Sequence, residues 1–320
     1  MAAKTKRSAP GNAKMPRQRE AWILGQPPLQ KYLDFMEEIA PLKDAPSRKA
    51  LIDDWRRAND HYYKLEVAED GIADRAGIAP LAPSLRGLAR KVKADPRYKR
   101  SFDDLPTRFA MVELDRLIVP QPHVNLDHID RLKLRLGSKR TPEALFHFCL
   151  PLDRSEADVQ MRRAGANRYL FWSPSSDFRF QEPVVLTPDQ IRGYQAFGPI
   201  GSVIGLTVGF GSNFLTVIKS DGRLLLHNGH HRAYALRDLG VTHAPCIVQT
   251  VTRRDELNLV ASRAVRDDPV FYFKSARPPL LKDFFDPKLR KVISVPPLTR
   301  VVELSFDIKE FEIKDFRDGQ

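Results

Sequence analysis

The spacing of apolar positions predicts a helical N-terminal part. Two apolar runs within residues 28–66 recur at helical spacing, and Ser47 is placed to act as the N-cap of the second run. Residues 67–107 are interrupted by Gly and Pro, which is typical of a connector, with one helix expected at 84–93. We therefore expect a domain boundary near residue 100.

Beyond residue 110 the apolar runs become short and are bounded by turn residues, which is typical of strands. Strands are predicted at 111–114, 145–152, 203–208, 214–219, 224–226 and 245–248, and in the partly alternating segment 301–313. Helices are predicted at 127–136, 188–196, 233–239 and 254–266, with Thr187 capping the second of these. The loop 209–213 is expected to join two strands as a hairpin, and Asp221-Gly222 to form another hairpin turn.

The segment 221–250 places a dense group of polar residues between apolar runs. The strand at 224–226 is followed by His-Asn-Gly-His-His-Arg at 227–232, then by a helix that Gly240 ends, then by a strand. Two imidazoles and a guanidinium therefore lie in the first turn of a helix. There the unpaired backbone N–H groups and the positive end of the helix dipole favour an anion, so the segment predicts a phosphate site.

The pattern along the whole chain predicts an α+β fold in four regions. These are a disordered basic tail at 1–27, a helical extension and connector at 28–107, a central domain at 108–252, and a C-terminal region of one helix and short strands at 253–320. The tail is expected to be disordered because its first twenty residues contain six basic residues, one acid and little apolar content.

Composition narrows the classes of protein that fit the chain. The 320 residues are 42 % hydrophobic, as in ordinary globular domains, and the formal net charge of +12 favours anionic partners such as nucleic acid or nucleotides. Cys149 and Cys246 lie far apart inside apolar runs and are predicted to be buried thiols. An apolar leader and a membrane-spanning apolar stretch are not found, so the sequence predicts a soluble, cytoplasmic protein of bacterial type.

Residues 221–248 resemble the ParB/sulfiredoxin-like superfamily. Its members have a strand that ends in a Gly-[His/Glu/Cys]-[His/Arg]-Arg turn at a helix N-terminus, followed by a Leu-Gly stop and a strand that contains proline. This chain has Gly-His-His-Arg at 229–232, Leu-Gly at 239–240, and Pro245. The string 112–120 is also similar to the family's opening strand, so the resemblance covers residues 108–252.

The resemblance implies a core that places a nucleotide phosphate on this turn. The implied phosphate-binding residues are Asn228, Gly229, His230, His231 and Arg232, with Gly229 permitting close approach of the backbone. The implied ligand is ATP or another NTP with Mg²⁺, and the implied activity is phosphoryl transfer or NTP hydrolysis. Candidate catalytic residues are His230, His231 and Glu113, the last because an acidic residue from the N-terminal part faces the nucleotide in kinase-like relatives.

Three departures from the family pattern restrict this prediction. His230 stands where sulfiredoxins carry a cysteine, which excludes their reductase chemistry. Asn228 stands where kinase-like members usually carry Asp, which puts a metal-assisted or acid–base role at that position in doubt. The region after residue 252 is too rich in proline for the helix-turn-helix of partition proteins, which argues against a partition clamp.

Other functions stay open on the sequence alone. A metal site would use His227, His230 and His231 with ligands from distant Asp or Glu residues. A DNA-binding protein or DNase would use the basic tail and the arginines among aromatic residues at 162–180. That stretch is also typical of core aromatics flanked by arginines whose charged ends reach solvent. The nucleotide site itself fits either an enzyme or a switch without turnover.

Overall fold

The computed structural model of the protein describes residues 17–38, 46–138, 140–153, 158–175, 177–195 and 197–312. Helices and strands both contribute substantially to these residues, so the fold class is α+β, as predicted. None of the described helices is both long enough and apolar enough to cross a membrane. The first sixteen residues of the predicted tail lie outside the described residues.

The bounds of the elements are as follows. The strands are β1 (Gln18–Ile23), β2 (Ile78–Pro80), β3 (Thr107–Glu113), β4 (His123–Asn125), β5 (Gln160–Gly165), β6 (Arg168–Ser173), β7 (Phe178–Leu186), β8 (Val203–Phe210), β9 (Thr216–Ser220), β10 (Arg223–Asn228), β11 (His243–Thr250), β12 (Arg290–Val295) and β13 (Arg300–Ser305). The helices are α1 (Leu29–Glu38), α2 (Arg48–Ala68), α3 (Arg86–Ala94), α4 (Pro96–Phe102), α5 (Leu126–Leu136), α6 (Pro142–Cys149), α7 (His230–Asp238), α8 (Arg254–Val260), α9 (Arg263–Asp267) and α10 (Pro269–Phe273). Short 3-10 turns occur at Ile72–Arg75, Pro83–Leu85, Pro188–Gln190 and Leu281–Phe285.

A five-stranded mixed sheet in the order β10-β9-β11-β3-β2 carries the strand–turn–helix–strand unit. β9 and β11 run parallel, whereas the other neighbouring strands run antiparallel. Side chains alternate across the sheet, so Leu224 and Leu226 join one hydrophobic cluster while Leu225 joins another. Both faces are therefore covered, which explains the uninterrupted apolar run in β10.

Several elements lie where the sequence predicts them. β10, α7 and β11 follow one another as expected, and Asp221 and Gly222 form the turn between β9 and β10 with φ angles of 50° and 80°. Ser47 caps α2 by accepting a hydrogen bond from the Ala50 N–H at 3.2 Å. Cys149 and Cys246 are buried free thiols, and burial raises the pKa of Cys149 to about 12.

The predicted disordered tail is wrong for its described part, because residues 18–23 form strand β1. β1 is the central strand of a second sheet, β12-β1-β4. Ala21, Trp22 and Ile23 are buried there, and burial of this apolar run outweighs the basic character of the residues before it. The tail prediction failed because the strand's partners are far away in sequence, at 123–125 and 290–295.

The predicted strand at 145–152 is also wrong, because most of it belongs to helix α6. Thr141 caps this helix by accepting from the Ala144 N–H at 3.2 Å, and Pro142 occupies its first position. Phe146, Phe148 and Cys149 are buried. A short apolar run that is buried does not distinguish a strand from a helix by periodicity, so the N-terminal capping residues are the informative signal.

The predicted hairpin at 203–219 and the helix at 188–196 are corrected as well. β8 pairs with β7, whereas β9 pairs with β10 and β11, so loop 209–213 joins two separate sheets rather than two strands of a hairpin. Only the 3-10 turn Pro188–Gln190 forms after Thr187. β13 ends at Ser305, so the predicted C-terminal strand is shorter than expected.

The described residues fall into two compact units. One lies within Met1–Arg154 and Ser212–Pro297, and the other within Ser155–Gly211 and Leu298–Gln320. These units cut across the predicted domain 108–252, because the second unit is formed by an insertion together with the chain's C-terminal part. Within the first unit, Arg277 forms ion pairs with Glu69 at 2.8 Å and Asp283 at 2.6 Å, which joins the predicted connector to the C-terminal region.

Candidate functional site

The turn between β10 and α7 requires a glycine. Gly229 is the N-cap of α7 and has a φ of +93°, and a Cβ at this position would lie 2.6 Å from the Leu215 Cδ1. The Asn228 Oδ1 accepts a hydrogen bond from the Gly229 N–H at 2.9 Å. Among the described residues, no side chain caps α7. The helix therefore begins without the side-chain oxygen that usually satisfies its first N–H groups.

The N-termini of α5 and α7 lie together. At their starts, the rings of His128 and His231 meet edge to face with centroids 5.0 Å apart. At their ends, the Lys133 Nζ lies 2.7 Å from the Asp238 Oδ2. The two helices therefore run side by side in the same direction, and their positive dipole ends converge on the turn.

Asn125 connects these two helix starts. Its side-chain Oδ1 accepts from the His128 N–H at 2.7 Å and so caps α5. Its backbone N–H donates to the His231 Nε2 at 3.1 Å. Because Nε2 accepts this bond, the His231 ring carries its proton on Nδ1. The imidazole of His231 is thus fixed in one tautomer by a strand that lies about a hundred residues earlier in the chain.

Glu20 and His123 complete the polar surroundings of the turn. Glu20 is 3 % exposed, and it accepts from the Asn125 Nδ2 at 2.9 Å and contacts the His123 Nδ1 at 3.1 Å. The His123 ring stacks on Trp22 with centroids 4.7 Å apart. A buried carboxylate therefore orients an imidazole, which is the arrangement that fits a histidine to move protons.

The sequence interpretation missed Glu20, His123, Asn125 and His128. His123, Asn125 and His128 share a local signal in the sequence, the spacing His-x-Asn-x-x-His at 123–128, which runs into the predicted helix at 127–136. Glu20 gave no such signal, because it lay in the segment taken as a disordered tail. We refer to His123, His128, His227, His230 and His231 as the histidine cluster.

Burial keeps three members of the histidine cluster neutral at pH 7. Burial lowers the pKa of His230 to about 3, with smaller contributions from His227 and His123. Burial and the nearby arginines, Arg131 first, lower the pKa of His128 to about 4. The pKa of His231 lies well below its ordinary value, again mainly through burial. These rings are therefore hydrogen-bonding groups rather than cations.

His230 is the member of the cluster with an unsatisfied atom. Its side chain is 8 % exposed, and its Nε2 has no hydrogen-bond partner among the described residues. An unpaired buried polar atom is costly, and such atoms in native proteins often lie at functional sites. The start of α7 thus combines an absent side-chain cap with an unsatisfied imidazole nitrogen.

Arg232 has a structural contact that the sequence did not predict. Its side chain is buried, and its Nη1 donates to the Cys149 carbonyl oxygen at 2.9 Å and the Phe148 carbonyl oxygen at 3.4 Å. These carbonyls lie at the C-terminal end of α6, where backbone acceptors lack partners within the helix. Arg232 therefore places a fixed positive charge beneath the turn while it holds α6 in place.

Glu113 is not brought to the turn. Its Oε2 accepts from the Gly77 N–H at 2.9 Å, and the residue pairs with His243 across the sheet. The neighbouring Asp115 contacts Arg237, in the last turn of α7, at 2.9 Å. His230 and Arg237 are seven positions apart in the helix, which is about 10 Å along the axis. Glu113 thus lies near the opposite end of α7 from the other candidate catalytic residues.

The structure gives little support to a metal site in the turn or to a nucleic-acid interface at 162–180. Within the described ranges there is no group of three or more His, Cys, Asp or Glu side chains that could hold a metal ion. In the arginine–aromatic stretch, Arg168 pairs with Glu303, Arg179 pairs with Asp177, and Arg163 donates to the Gly165 carbonyl. These arginines have partners within their own compact unit and so differ from unpaired cations of a nucleic-acid groove.

Comparison of the chain with protein-family models, curated proteins and solved structures returns no match. The resemblance to the ParB/sulfiredoxin-like superfamily therefore stays a prediction that rests on the residues of the turn and its flanking strands.

Proposed function

We propose that this protein binds a nucleotide, ATP or another NTP, with a phosphate group at the turn from Asn228 to His231. The observation that carries the proposal is the convergence of two helix N-termini on this turn, one of which has no side-chain cap. Convergent positive dipole ends and unpaired N–H groups stabilise a bound phosphate. The position of the turn also agrees with the family resemblance, which stays an expectation.

Different residues serve different parts of phosphate binding. Gly229 keeps side-chain atoms away from the backbone, and the fixed tautomer of His231 leaves its Nδ1–H as a donor. The buried Arg232 supplies positive charge on the core side of the turn, and its side chain does not occupy the surface where the phosphate would bind. Because His230 and His231 are neutral, the fixed charge that attracts the phosphate comes from Arg232 and the helix dipoles rather than from imidazolium rings at these two positions.

The reaction that fits this site is phosphoryl transfer or nucleotide hydrolysis. Phosphoryl transfer depends mostly on positioning and on neutralising charge, and Mg²⁺ bound to the nucleotide's phosphates supplies part of that neutralisation. His123, oriented by Glu20, is the group we assign to accept a proton from the attacking water or hydroxyl. It replaces Glu113 in that role.

Calorimetric titration of ATP, CTP, GTP and ADP with Mg²⁺ tests the proposal. The matched variants are His231→Glu and His231→Gln, which differ by one charge and almost nothing in size. A side-chain oxygen of Glu or Gln at this position can accept the Asn125 N–H that the His231 Nε2 accepts, and a carboxylate in the first turn of α7 suits the helix dipole, so both variants are expected to fold. We expect His231→Glu to weaken nucleotide binding at least tenfold relative to His231→Gln. Equal affinities of the two variants would contradict a phosphate on this turn.

A nuclease is the second candidate function, because a phosphodiester offers the same oxygens to the turn as a nucleotide does. The observation that favours it is the large surplus of basic residues, which gives a net charge of +12. Incubation of labelled DNA with the protein and Mg²⁺ separates the candidates. Cleavage that is lost in His123→Gln assigns nuclease activity to the same site, and intact DNA together with nucleotide turnover rejects it.

A further inference from the structure

Half of the protein's net charge comes from one short segment. Residues 84–100 contain seven Lys and Arg residues and one acid, Asp95, which is a surplus of six within the total of +12. The segment forms α3 and α4 in the first compact unit. We call the exposed basic side chains of these helices the α3–α4 surface: Arg86, Arg90, Lys91, Lys93, Lys99 and Arg100.

Only part of the charge on the α3–α4 surface is compensated by acidic residues of the protein itself. Arg97 pairs with Asp95 at 2.9 Å. In contrast, Arg86, Arg90, Lys91 and Lys93 have no acidic partner within the described part of the chain. Arg86 and Arg90 lie one turn apart on the same helix face, where like charges repel. A surface that retains such repulsion is expected to gain stability from an anionic partner.

The same helix forms one wall of an open groove of about 690 Å³. Gly87, Arg90 and Lys91 line it from α3, and Glu143 and His147 line it from α6. A Cβ at Gly87 would meet nothing within 4 Å, so the packing of the protein gives no reason for a glycine there. The absent side chain keeps the groove open beside two cations.

We infer that the α3–α4 surface and its groove bind the phosphate backbone of a nucleic-acid duplex. Unpaired Lys and Arg side chains are the groups that neutralise successive phosphates. The groove has no Phe, Tyr or Trp in its lining, and its one aromatic ring is His147, so it lacks the series of platforms on which successive unpaired bases stack. Among the described residues, none of the exposed large apolar side chains belongs to α3 or α4, which argues against insertion into a membrane surface.

The α3–α4 surface shares no residue with the turn at Asn228–His231. Absence of duplex binding at this surface would leave the proposed nucleotide site untouched, and absence of nucleotide binding at the turn would leave the α3–α4 surface untouched. Recognition through phosphates alone carries no sequence information, so binding is expected to be independent of base sequence.

Fluorescence anisotropy of a labelled duplex of random sequence, measured over a range of salt concentrations with the full chain, tests the inference. The variant Arg90→Gln/Lys91→Gln/Lys93→Gln removes three charges from the surface. The control Lys31→Gln/Arg56→Gln/Lys64→Gln removes three exposed charges from α1 and α2. We expect the first variant to bind roughly tenfold or more weakly and to lower the salt slope by about one per removed cation. The control is expected to stay close to wild type.

Gly87→Leu tests the groove without changing charge. Leucine favours helix more than glycine does, so this variant is expected to fold at least as stably as wild type and to bind the duplex more weakly. Equal loss of binding in the surface variant and the control would overturn the α3–α4 surface as the site. Unchanged binding in Gly87→Leu would overturn the groove, and binding to anionic vesicles without binding to duplex would overturn nucleic acid as the partner.

Discussion

The turn at Asn228–His231 and the α3–α4 surface are both proposed to bind phosphate groups, but they differ in how their positive potential arises. At the turn, the histidines are neutral, Arg232 is buried, and helix dipoles supply the field. On the α3–α4 surface, the charges are exposed, and Arg86, Arg90, Lys91 and Lys93 have no acidic partner among the described residues. The residues of the turn are packed in the core, so the stability of this site is expected to depend on pH and on packing. The second is built from exposed point charges, so binding there is expected to respond to salt.

The largest expected difference between the two regions comes from their arginines. Arg232→Ala leaves the carbonyls of Phe148 and Cys149 without a charged donor, and we expect it to lower the free energy of unfolding by about 3 kcal/mol. Arg90→Ala removes an exposed, unpaired side chain and is expected to change stability by less than about 0.5 kcal/mol. Urea unfolding of both variants measures this. Similar losses of free energy of unfolding in the two variants would contradict the distinction between the buried, structural Arg232 and the exposed Arg90.

The next difference is the response of stability to pH. The folded pKa of His230, about 3, lies below the ordinary value of 6.5, so the unfolded chain binds more protons between these values. Stability is therefore complete above about pH 6.5 and falls as the pH is lowered. His230 alone is expected to account for on the order of 2 kcal/mol between pH 6.5 and pH 5. Urea unfolding at the two pH values, with His230→Gln alongside, checks this loss. A wild type and variant with the same pH dependence would mean that His230 is not buried as a neutral ring.

Gly229 and Gly87 are expected to differ in how well they tolerate a side chain. Gly229→Ala places a Cβ at a φ of +93° against Leu215, and we expect it to cost about 1 to 2 kcal/mol in thermal unfolding experiments. Gly87→Ala has open space around the new methyl group and is expected to be neutral or slightly stabilising. A destabilised Gly87→Ala would show that this glycine is needed for the fold rather than for an open groove.

The sequence predicts the turn well because its information is local. An apolar run, a glycine with polar neighbours, an amphipathic segment and a Leu-Gly stop all lie within thirty residues, and β10, α7 and β11 form as expected. The same local reasoning failed at α6, where buried apolar residues resemble a strand. Its N-terminal Thr141 and Pro142 carried the missing information.

The partners of the turn could not be predicted, because they come from distant parts of the chain. Glu20 reaches the cluster only because β1 pairs with β4, about a hundred residues later. His231 obtains its tautomer from the backbone of Asn125. Conversely, Glu113 belongs to the predicted opening strand but lies near the C-terminal end of α7, away from the turn. Proximity in sequence therefore pointed to Glu113, whereas strand pairing brings a different carboxylate, Glu20, to the histidine cluster.

The most direct test of the account is nitrogen NMR of ¹⁵N-histidine-labelled protein during titration with ATP and Mg²⁺. The variants His230→Gln and His231→Gln assign the two rings of the first turn of α7. We expect the ring nitrogens of His231 and His230 to shift saturably with nucleotide while keeping the pattern of neutral imidazoles at pH 7. Nucleotide binding that leaves both rings unchanged would contradict the placement of the phosphate on the turn.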